Sequence, residues 1–497
     1  MRLSLLLAAA GAPLGEKETD VDVRSIAYDS RRVEPGALFV AIPGFHRDGH
    51  EFVADALTRG AVAVVAERAT RAPAPVAVVA DARLALSAIA AEFFDHPTRR
   101  LPVVGVTGTD GKTTTVHLVS DVLEAAGERT GYQTTVDFKL CDNTWANESR
   151  QTTQEALEVQ QFFAELLVAG GTWGVLEATS HALTLNKLAH VELDVAVFTN
   201  LTPEHLDFHG TMQQYLAAKG LLFEMLDRAV DKGVPKAAIV NADDPHWRYL
   251  ADRTAEHIVT YGIDALADVQ GQILAESADG TRIALTYQKA RAEIALPLIG
   301  RFNVSNALAA AAAGLAVGAT LDAARLALER AKPVAGRLER VEAGQPFSVV
   351  VDYAHTPDSL RKILTLLRPL TKGELIAVFG SAGERDRTKR AAMGKIAAEL
   401  ADYFVITQED PRLEDRAEIL REIERGAIEG GATRGERYEV IDDRKQAIAH
   451  AINRAKPGDT VVTSGKGHER SIIEGERKTP WDEAGAAREA LRARGYA

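Results

Sequence analysis

The sequence predicts an α/β protein of three domains, each built on a mainly parallel sheet with crossover helices. Three observations lead there. The chain has 497 residues, too many for one ordinary core and enough for about three. Short apolar, β-branched runs alternate with helical stretches along its length, the pattern of strand–helix–strand units. One such run, Leu101 to Val106, passes through a glycine-bearing loop straight into a helix.

The first block, residues 1–99, opens on Leu3-Ser4-Leu5-Leu6-Leu7-Ala8-Ala9-Ala10 behind Arg2. That run resembles a secretory leader, but it is short and flows into Glu16-Lys17-Glu18. It is read as a first amphipathic helix of the mature protein. Runs at 37–42 and 61–65 then alternate with a helix from Arg83 to Phe94, a small α/β unit. The second block, 100–335, holds the strand Leu101 to Val106, a helix from Thr113 to Ala126, and strands at 174–177 and 195–198. It closes with an alanine-rich helix from Asn303 to Val317. The third, 336–497, alternates strands at 347–351, 375–379, 403–407 and 460–463 with helices, and is expected to form a Rossmann-like domain. No repeat, low-complexity tract or long polar linker interrupts the chain, so the joints are short.

Composition narrows the function. With 46% hydrophobic and 26% charged residues the chain reads as a soluble globular protein. A net charge of −12 argues against a partner of nucleic acid or anionic membrane, while leaving room for a local basic pocket. No stretch is apolar enough to span a bilayer. Cys141 is the sole cysteine, so neither an intrachain disulfide nor a thiolate metal cage is expected. The expected location is cytoplasmic.

The strongest local signal is Val106-Thr107-Gly108-Thr109-Asp110-Gly111-Lys112-Thr113-Thr114. Glycines in a strand-to-helix turn let backbone N–H groups face an anion, with the helix dipole aimed at the same point. Lys112 would reach the β- and γ-phosphates of ATP, and the Thr113 hydroxyl would take a Mg²⁺ position. The strict motif wants glycine where Val106 stands, and Gly105 comes one residue early. The plainer alternative is a βα turn that happens to contain Gly-Lys-Thr.

This loop resembles that of the Mur ligases and their folylpolyglutamate synthetase relatives. Further landmarks run in order along the chain: Asp29-Ser30-Arg31, Glu177-Ala178-Thr179-Ser180-His181-Ala182-Leu183, Phe198-Thr199-Asn200-Leu201-Thr202, His205-Leu206-Asp207-Phe208-His209-Gly210, Arg301-Phe302-Asn303, Gly336-Arg337-Leu338-Glu339, Val351-Asp352-Tyr353-Ala354-His355-Thr356-Pro357-Asp358 and Gly465-Lys466-Gly467-His468-Glu469. They resemble the Mur ligases that add the third, diamino residue of the peptidoglycan stem peptide.

The resemblance implies an ATP- and Mg²⁺-dependent ligase that activates a carboxylate as an acyl phosphate and joins it to an amine. Its catalytic residues would be Lys112, Glu177, His205 and Lys219. Glu177 and His205 lie near the ends of strands that, in a parallel sheet, open on the edge carrying the loop; with Thr113 they are the implied metal positions. Lys219 is implied to carry a carbamate from CO₂, which would turn a repelling ammonium into an anionic oxygen ligand; without the resemblance it is a solvated lysine on a helix. Asn303 is implied to contact adenine, and it could also cap the alanine-rich helix. Arg337 and Asp352 would meet the ribose or phosphates. The small-molecule partners implied are UDP-N-acetylmuramoyl-L-alanyl-D-glutamate and a diamino acid, handled by a monomer.

For the sugar nucleotide the implied residues are Ser30, Phe45, His46 and Arg47, with Arg31 and Arg32 adding positive charge for a pyrophosphate. For the peptide carboxylate they are Gln151, Thr152, Thr153, Thr179 and Lys187. Leu185 and Lys187 stand where the family often has glutamine and arginine, and a lysine gives only a point charge in place of a fork. The segment 130–147 lacks the usual glycine-rich pattern. In the third block Arg385 is implied to anchor the incoming α-carboxylate, and Gly465 and Glu469 to reach the far end of the side chain.

The diaminopimelate motif Asp-Asn-Pro-Arg is here Glu409-Asp410-Pro411-Arg412. An aspartate at 410 would repel a second carboxylate by up to ~4 kcal/mol at ~4 Å and an effective dielectric of ~20. On that ground lysine or ornithine is expected ahead of meso-diaminopimelate. The rival readings are a folylpolyglutamate synthetase, a paralogue with another acceptor, and, from a different class, a P-loop nucleotide switch.

Overall fold

The computed structural model describes residues 1–12, 14, 19–44, 47–69, 73–149, 151–277 and 279–496. They form two compact units, one of residues 1–274, 282–296 and 301–331, the other of 275–281, 297–300 and 332–497.

The first unit carries a four-stranded parallel sheet of Ser25–Ala27, Ala37–Ala41, Ala63–Ala66 and Val76–Val78, paired in that order. Successive side chains leave a strand on opposite faces. On one face Leu38 and Val40 pack with Leu3, Leu6 and Leu7 of the helix Leu3–Ala9 and with Leu86 and Ile89 of Ala82–Phe93. On the other, Phe39 meets Val53 and Ala56 of Val53–Thr58. The leucine-rich opening is therefore an amphipathic helix with its apolar stripe in a core.

A second sheet has eleven strands. Its centre is parallel, in the order His257–Gly262, Ala237–Asn241, Val195–Phe198, Val103–Thr107, Trp173–Glu177, Thr130–Gln133. Every residue of Val103–Thr107 is buried, as expected of a strand covered on both faces. Gly105 in this strand has a packing role: a Cβ there would stand 2.9 Å from Leu222 Cδ1 on the helix Met212–Glu224. At one edge the sheet departs from the parallel pattern. Asp137–Leu140 and Asn143–Ala146 add antiparallel to Thr130–Gln133, joined by a tight turn in which Cys141 takes φ +53°. Antiparallel neighbours need only a turn, whereas parallel ones need a crossover.

The second unit has a six-stranded sheet in the order Glu339–Arg340, Ser348–Asp352, Thr460–Ser464, Leu375–Phe379, Tyr403–Ile406, Tyr438–Val440, parallel except at Glu339–Arg340. Helices Pro357–Leu367, Thr388–Leu400 and Arg416–Glu429 fill one face, and Arg444–Arg454 with Glu483–Ala493 the other. A hairpin, Ser471–Glu474 with Arg477–Pro480, stands apart. Strands covered by helices on both faces place loops from several strands at one carboxyl edge, where α/β folds bind ligands.

Candidate active site

The loop at 108–114 is shaped by its glycines. Gly108 has φ +148° and Gly111 φ +85°. A Cβ at 108 would stand 1.8 Å from Thr199 Oγ1, and one at 111 2.3 Å from Asn306 Oδ1. The neighbouring strand end braces the turn: Thr109 N donates to Asn200 O at 2.8 Å, Asp110 N to Asn200 Oδ1 at 2.9 Å, and Thr199 Oγ1 to Asp110 O at 2.6 Å. Gly111 precedes the helix Lys112–Ala125, whose first turn includes Thr113 and Thr114. Lys112 lies across the turn, donating to Gly108 O at 3.1 Å and Thr109 O at 2.7 Å.

Thr113 leads to the acidic side of the site. Its hydroxyl donates to Glu177 Oε1 at 2.8 Å, and the same carboxylate accepts Thr135 N at 2.7 Å. Glu177 is 1% exposed. Lys219 is also 1% exposed, donates to Gly108 O at 2.8 Å, and lies 4.1 Å from the centre of the Tyr215 ring. Burial, with the charge of Lys112 adding to it, pushes the Lys219 ammonium well below the usual lysine range. The Tyr215 hydroxyl lies 3.2 Å from Thr109 Oγ1.

His205 begins the short helix Leu206–His209 at φ +55°. Its ring lies 4.7 Å from that of His181, which stacks on Phe208 at 4.2 Å. Burial, then the charges of Lys112 and Lys219, hold His205 down to about 4; burial, then His205 itself, does the same for His181. Neutral imidazoles suit metal binding. Among the described residues no three His, Cys, Asp or Glu form a ready-made metal cage. Glu177 and Thr113 are in direct contact, while His205 and Lys219 join them only through the loop and its neighbours.

The residues expected around the peptide carboxylate are brought together. Thr153 Oγ1 donates to Glu177 O at 2.7 Å and lies 3.2 Å from Thr179 Oγ1. Thr135 Oγ1 donates to Thr152 Oγ1 at 3.0 Å. Lys187 donates to Gln151 Oε1 at 2.8 Å and pairs with Glu155 at 2.8 Å. Its charge is thus already matched.

At the sugar-nucleotide end the arginines have carboxylate neighbours. Arg31 forms a two-pronged pair with Asp29, the shortest contact 2.6 Å, and Arg32 donates to Glu158 Oε1 at 3.1 Å. Both guanidiniums remain largely exposed, each with a carboxylate within reach. Ser30 is buried, and Arg47 sits 5.8 Å from the Phe52 ring. Phe45 and His46 lie outside the described residues. The capping alternative for Asn303 is corrected: the helix spans Arg301–Ala316, so Asn303 is a buried residue of its first turn and not its cap. Its Oδ1 accepts from Asn306 Nδ2 at 3.3 Å.

In the second unit Arg337 and Asp352 are neighbours. Leu338 N donates to Asp352 Oδ2 at 2.9 Å, and Arg337 lies 4.7 Å over the Tyr353 ring. At the carboxyl edge of this sheet, Arg385 and Arg412 make no ion pair among the described residues, and Arg412 Nε is buried without a partner. Asp410 is 3% exposed; its Oδ1 accepts Lys466 Nζ and Ile473 N, each at 2.9 Å. Lys466 also bonds Glu469. Asp410 is therefore not the isolated charge that the lysine expectation assumed: it shares a buried ammonium with Glu469.

Three family models match the chain: the Mur ligase family catalytic domain over 22–94, the Mur ligase middle domain over 106–314, and the Mur ligase glutamate ligase domain over 336–467. A UDP-N-acetylmuramyl-tripeptide synthetase of Roseiflexus sp. (strain RS-1) is 50% identical over 508 residues, covering 100% of both chains. The chain belongs to the Mur ligase family. A UDP-N-acetylmuramoyl-L-alanyl-D-glutamate--2,6-diaminopimelate ligase of Bacillus velezensis is 42% identical over 99% of both chains. A solved ligase of that same description superposes with TM-score 0.68 at 29% identity over 100% of both chains. A Mycobacterium tuberculosis folylpolyglutamate synthase shares the fold alone, with TM-score 0.63 at 19% identity over 82% of this chain and 94% of its own.

This Mur ligase is an ATP-dependent enzyme, and its residues fit ATP and Mg²⁺. The two glycines let the loop close against Thr199 and Asn306, and Thr113 with Glu177 offers the hard oxygen ligands that Mg²⁺ takes while keeping several waters. Among the described residues no helix is long and apolar enough to cross a membrane. Sequence reasoning missed Thr135, which shares the Glu177 carboxylate, and Asn306, which faces Gly111. Thr135 lies in the segment that lacked a glycine pattern, and Asn306 looked like one more residue of an alanine-rich helix.

Proposed function

We propose that this ligase adds a diamino acid to UDP-N-acetylmuramoyl-L-alanyl-D-glutamate in the cytoplasm, as a monomer. The observation that carries the reading is the unbroken contact chain from the nucleotide loop, through Thr113 and Glu177, to Thr135, Thr152, Thr153 and Thr179. It sets the nucleotide loop beside a cluster of threonine hydroxyls, which are groups that can donate to a carboxylate. The domain bounds 1–99, 100–335 and 336–497 belong to this reading, with the sugar nucleotide assigned to the first, ATP to the second and the amino acid to the third.

The substrate's glutamyl carboxylate attacks the γ-phosphorus of ATP as the bond to ADP breaks, giving an acyl phosphate. The amine attacks the acyl carbon, phosphate leaves, and a proton is released. Lys112 follows the transferring charge, and the backbone N–H groups of 108–113 cradle the phosphates. Mg²⁺, held by Thr113, Glu177 and His205, would offset the charge that accumulates between the two anions. Asn303 serves adenine, and Arg337 and Asp352 the ribose or phosphates. Ser30, Phe45, His46 and Arg47 take the uridine diphosphate, and Gln151, Thr152, Thr153, Thr179 and Lys187 the peptide.

Lys219 is assigned a carbamate. A buried amine whose proton is held weakly is the nucleophile CO₂ requires: the nitrogen bonds carbon and one proton leaves. The reading is supported by its burial and by its carbonyl rather than carboxylate partner.

Arg385 takes the α-carboxylate, and Pro411, Arg412, Gly465 and Glu469 the far end of the side chain. With Asp410 cancelled and Arg412 unpaired, meso-diaminopimelate is favoured over lysine or ornithine; a fork-shaped guanidinium matches a carboxylate. The test is phosphate release with the UDP-linked dipeptide and each amino acid in turn, with amide product read by mass. ATP consumption without product under every pairing would end the proposal.

A further inference from the structure

Lys466 is 0% exposed. Buried lysines are rare unless paired, and this one has two partners: it donates to Asp410 Oδ1 at 2.9 Å and to Glu469. The segment holding Asp410 is in turn tied to the hairpin Ser471–Glu474. Arg412 N donates to Ile473 O at 3.0 Å and Gly475 N to Arg412 O at 2.7 Å. Lys466, Asp410 and the partly buried Glu469 thus sum, among themselves, to one negative charge. Without Lys466 the surplus would be two; with asparagine at 410 it would be zero. The far end of a diaminopimelate carries both an ammonium and a carboxylate and is neutral, whereas that of lysine is a single cation. The surplus at the cluster therefore discriminates between them.

We propose that Lys466 is the specificity-determining positioning residue of the amino-acid site. It cancels Asp410, so that a side chain ending in a second carboxylate is accepted where a bare aspartate would repel it. The inference rests on the reading of this chain as a ligase for diamino acids. Lys466 needs no contact with substrate; it acts through Asp410 and Glu469.

The experiment measures kcat/KM for meso-diaminopimelate and for L-lysine on the full-length enzyme with UDP-N-acetylmuramoyl-L-alanyl-D-glutamate. The ratio of the two is compared in wild type, Lys466→Gln, Asp410→Asn and the double variant. Lys466→Gln lowers the ratio about tenfold or more and Asp410→Asn raises it, as opposite changes of one charge near the ligand require. The double variant returns to within about threefold of wild type, because the surplus is again one. A Lys466→Gln ratio equal to wild type, a double variant as shifted as Lys466→Gln, or a wild type that uses lysine alone overturns the inference. Should Lys466→Gln not fold, Asp410→Asn decides: a raised ratio supports the inference and an unmoved one overturns it. A wild type that joins neither amino acid overturns the functional reading and the specificity assignment together; an active wild type with unmoved ratios overturns only the latter.

Discussion

Arg444 and Glu483 are both fully buried, and their side chains meet through three contacts of 2.6, 2.9 and 3.2 Å. Arg444 also donates to Gln408 O at 3.0 Å and Ser464 O at 2.8 Å, the carbonyls just before Glu409 and Gly465. The pair thus ties together the two segments that lead into Glu409 and Gly465. Glu483→Gln keeps the shape and removes the charge, leaving a guanidinium in the interior with two neutral carbonyls and an amide. Removing one partner of a buried pair costs about 3–5 kcal/mol. For a unit of this size each kcal/mol lowers the midpoint by about 2–4 °C, so the expected drop is about 6–20 °C. Thermal unfolding followed by fluorescence reads it, because Trp481 Nε1 donates to Glu483 Oε2 at 2.7 Å. Hydrogen exchange along Arg444–Arg454 localises the loss. The double variant Arg444→Met/Glu483→Leu should cost less than the single, since it buries no charge. A shift below about 2 °C in Glu483→Gln would refute the reasoning.

Gly108→Ala sets a Cβ 1.8 Å from Thr199 Oγ1; nucleotide titration should show ATP binding weakened by at least about tenfold, with the melting of the second unit unmoved. Lys219→Ala should lose roughly a hundredfold or more in turnover, the scale of a lost charge-stabilising group, and excess CO₂ should not restore it; unchanged turnover removes the carbamate from the scheme. His181 has its folded pKa lowered from 6.5 to about 4 by burial and then by His205. Between those values the unfolded chain binds the proton and the folded one does not, so stability falls as pH drops through that window. His181→Gln should flatten part of the slope in a pH series of melts, and an identical slope would disprove the assignment.

The parts of the site legible in the sequence were those whose chemistry is compressed into a few adjacent residues. Gly108 to Thr114 announces itself because turn, charge and helix start are contiguous, and the strand before it is apolar throughout. The interactions that escaped are made by residues far apart in the chain. Asp410 looked like a free charge because its partner stands 56 positions later. Arg31 looked available because nothing in the order Asp29-Ser30-Arg31 says that the arginine folds back on the aspartate two residues before it. Asn303 was placed at a helix boundary that lies two residues earlier, at Arg301, an ordinary uncertainty where the first turn carries no strong capping residue. The edge hairpin at 137–146 was hidden because its turn uses Cys141 and Asp142 and not the Asn-Gly or Gly-Gly that usually mark one.

Gly105 looks like a misplaced motif glycine until its neighbour is considered. It lies three residues before Gly108, and Leu222 lies three after Lys219, nearly one turn of the same helix. The bare α-carbon lets Leu222 nest against the strand, and that close seating gives the Lys219 side chain the reach to meet the Gly108 carbonyl at 2.8 Å. A methyl group at 105 would act as a wedge at one end of this lever, prising the amine off the loop without touching either. The interval between strand and helix, set one turn away from the amine, thus meters how closely the lysine approaches the Gly108 carbonyl.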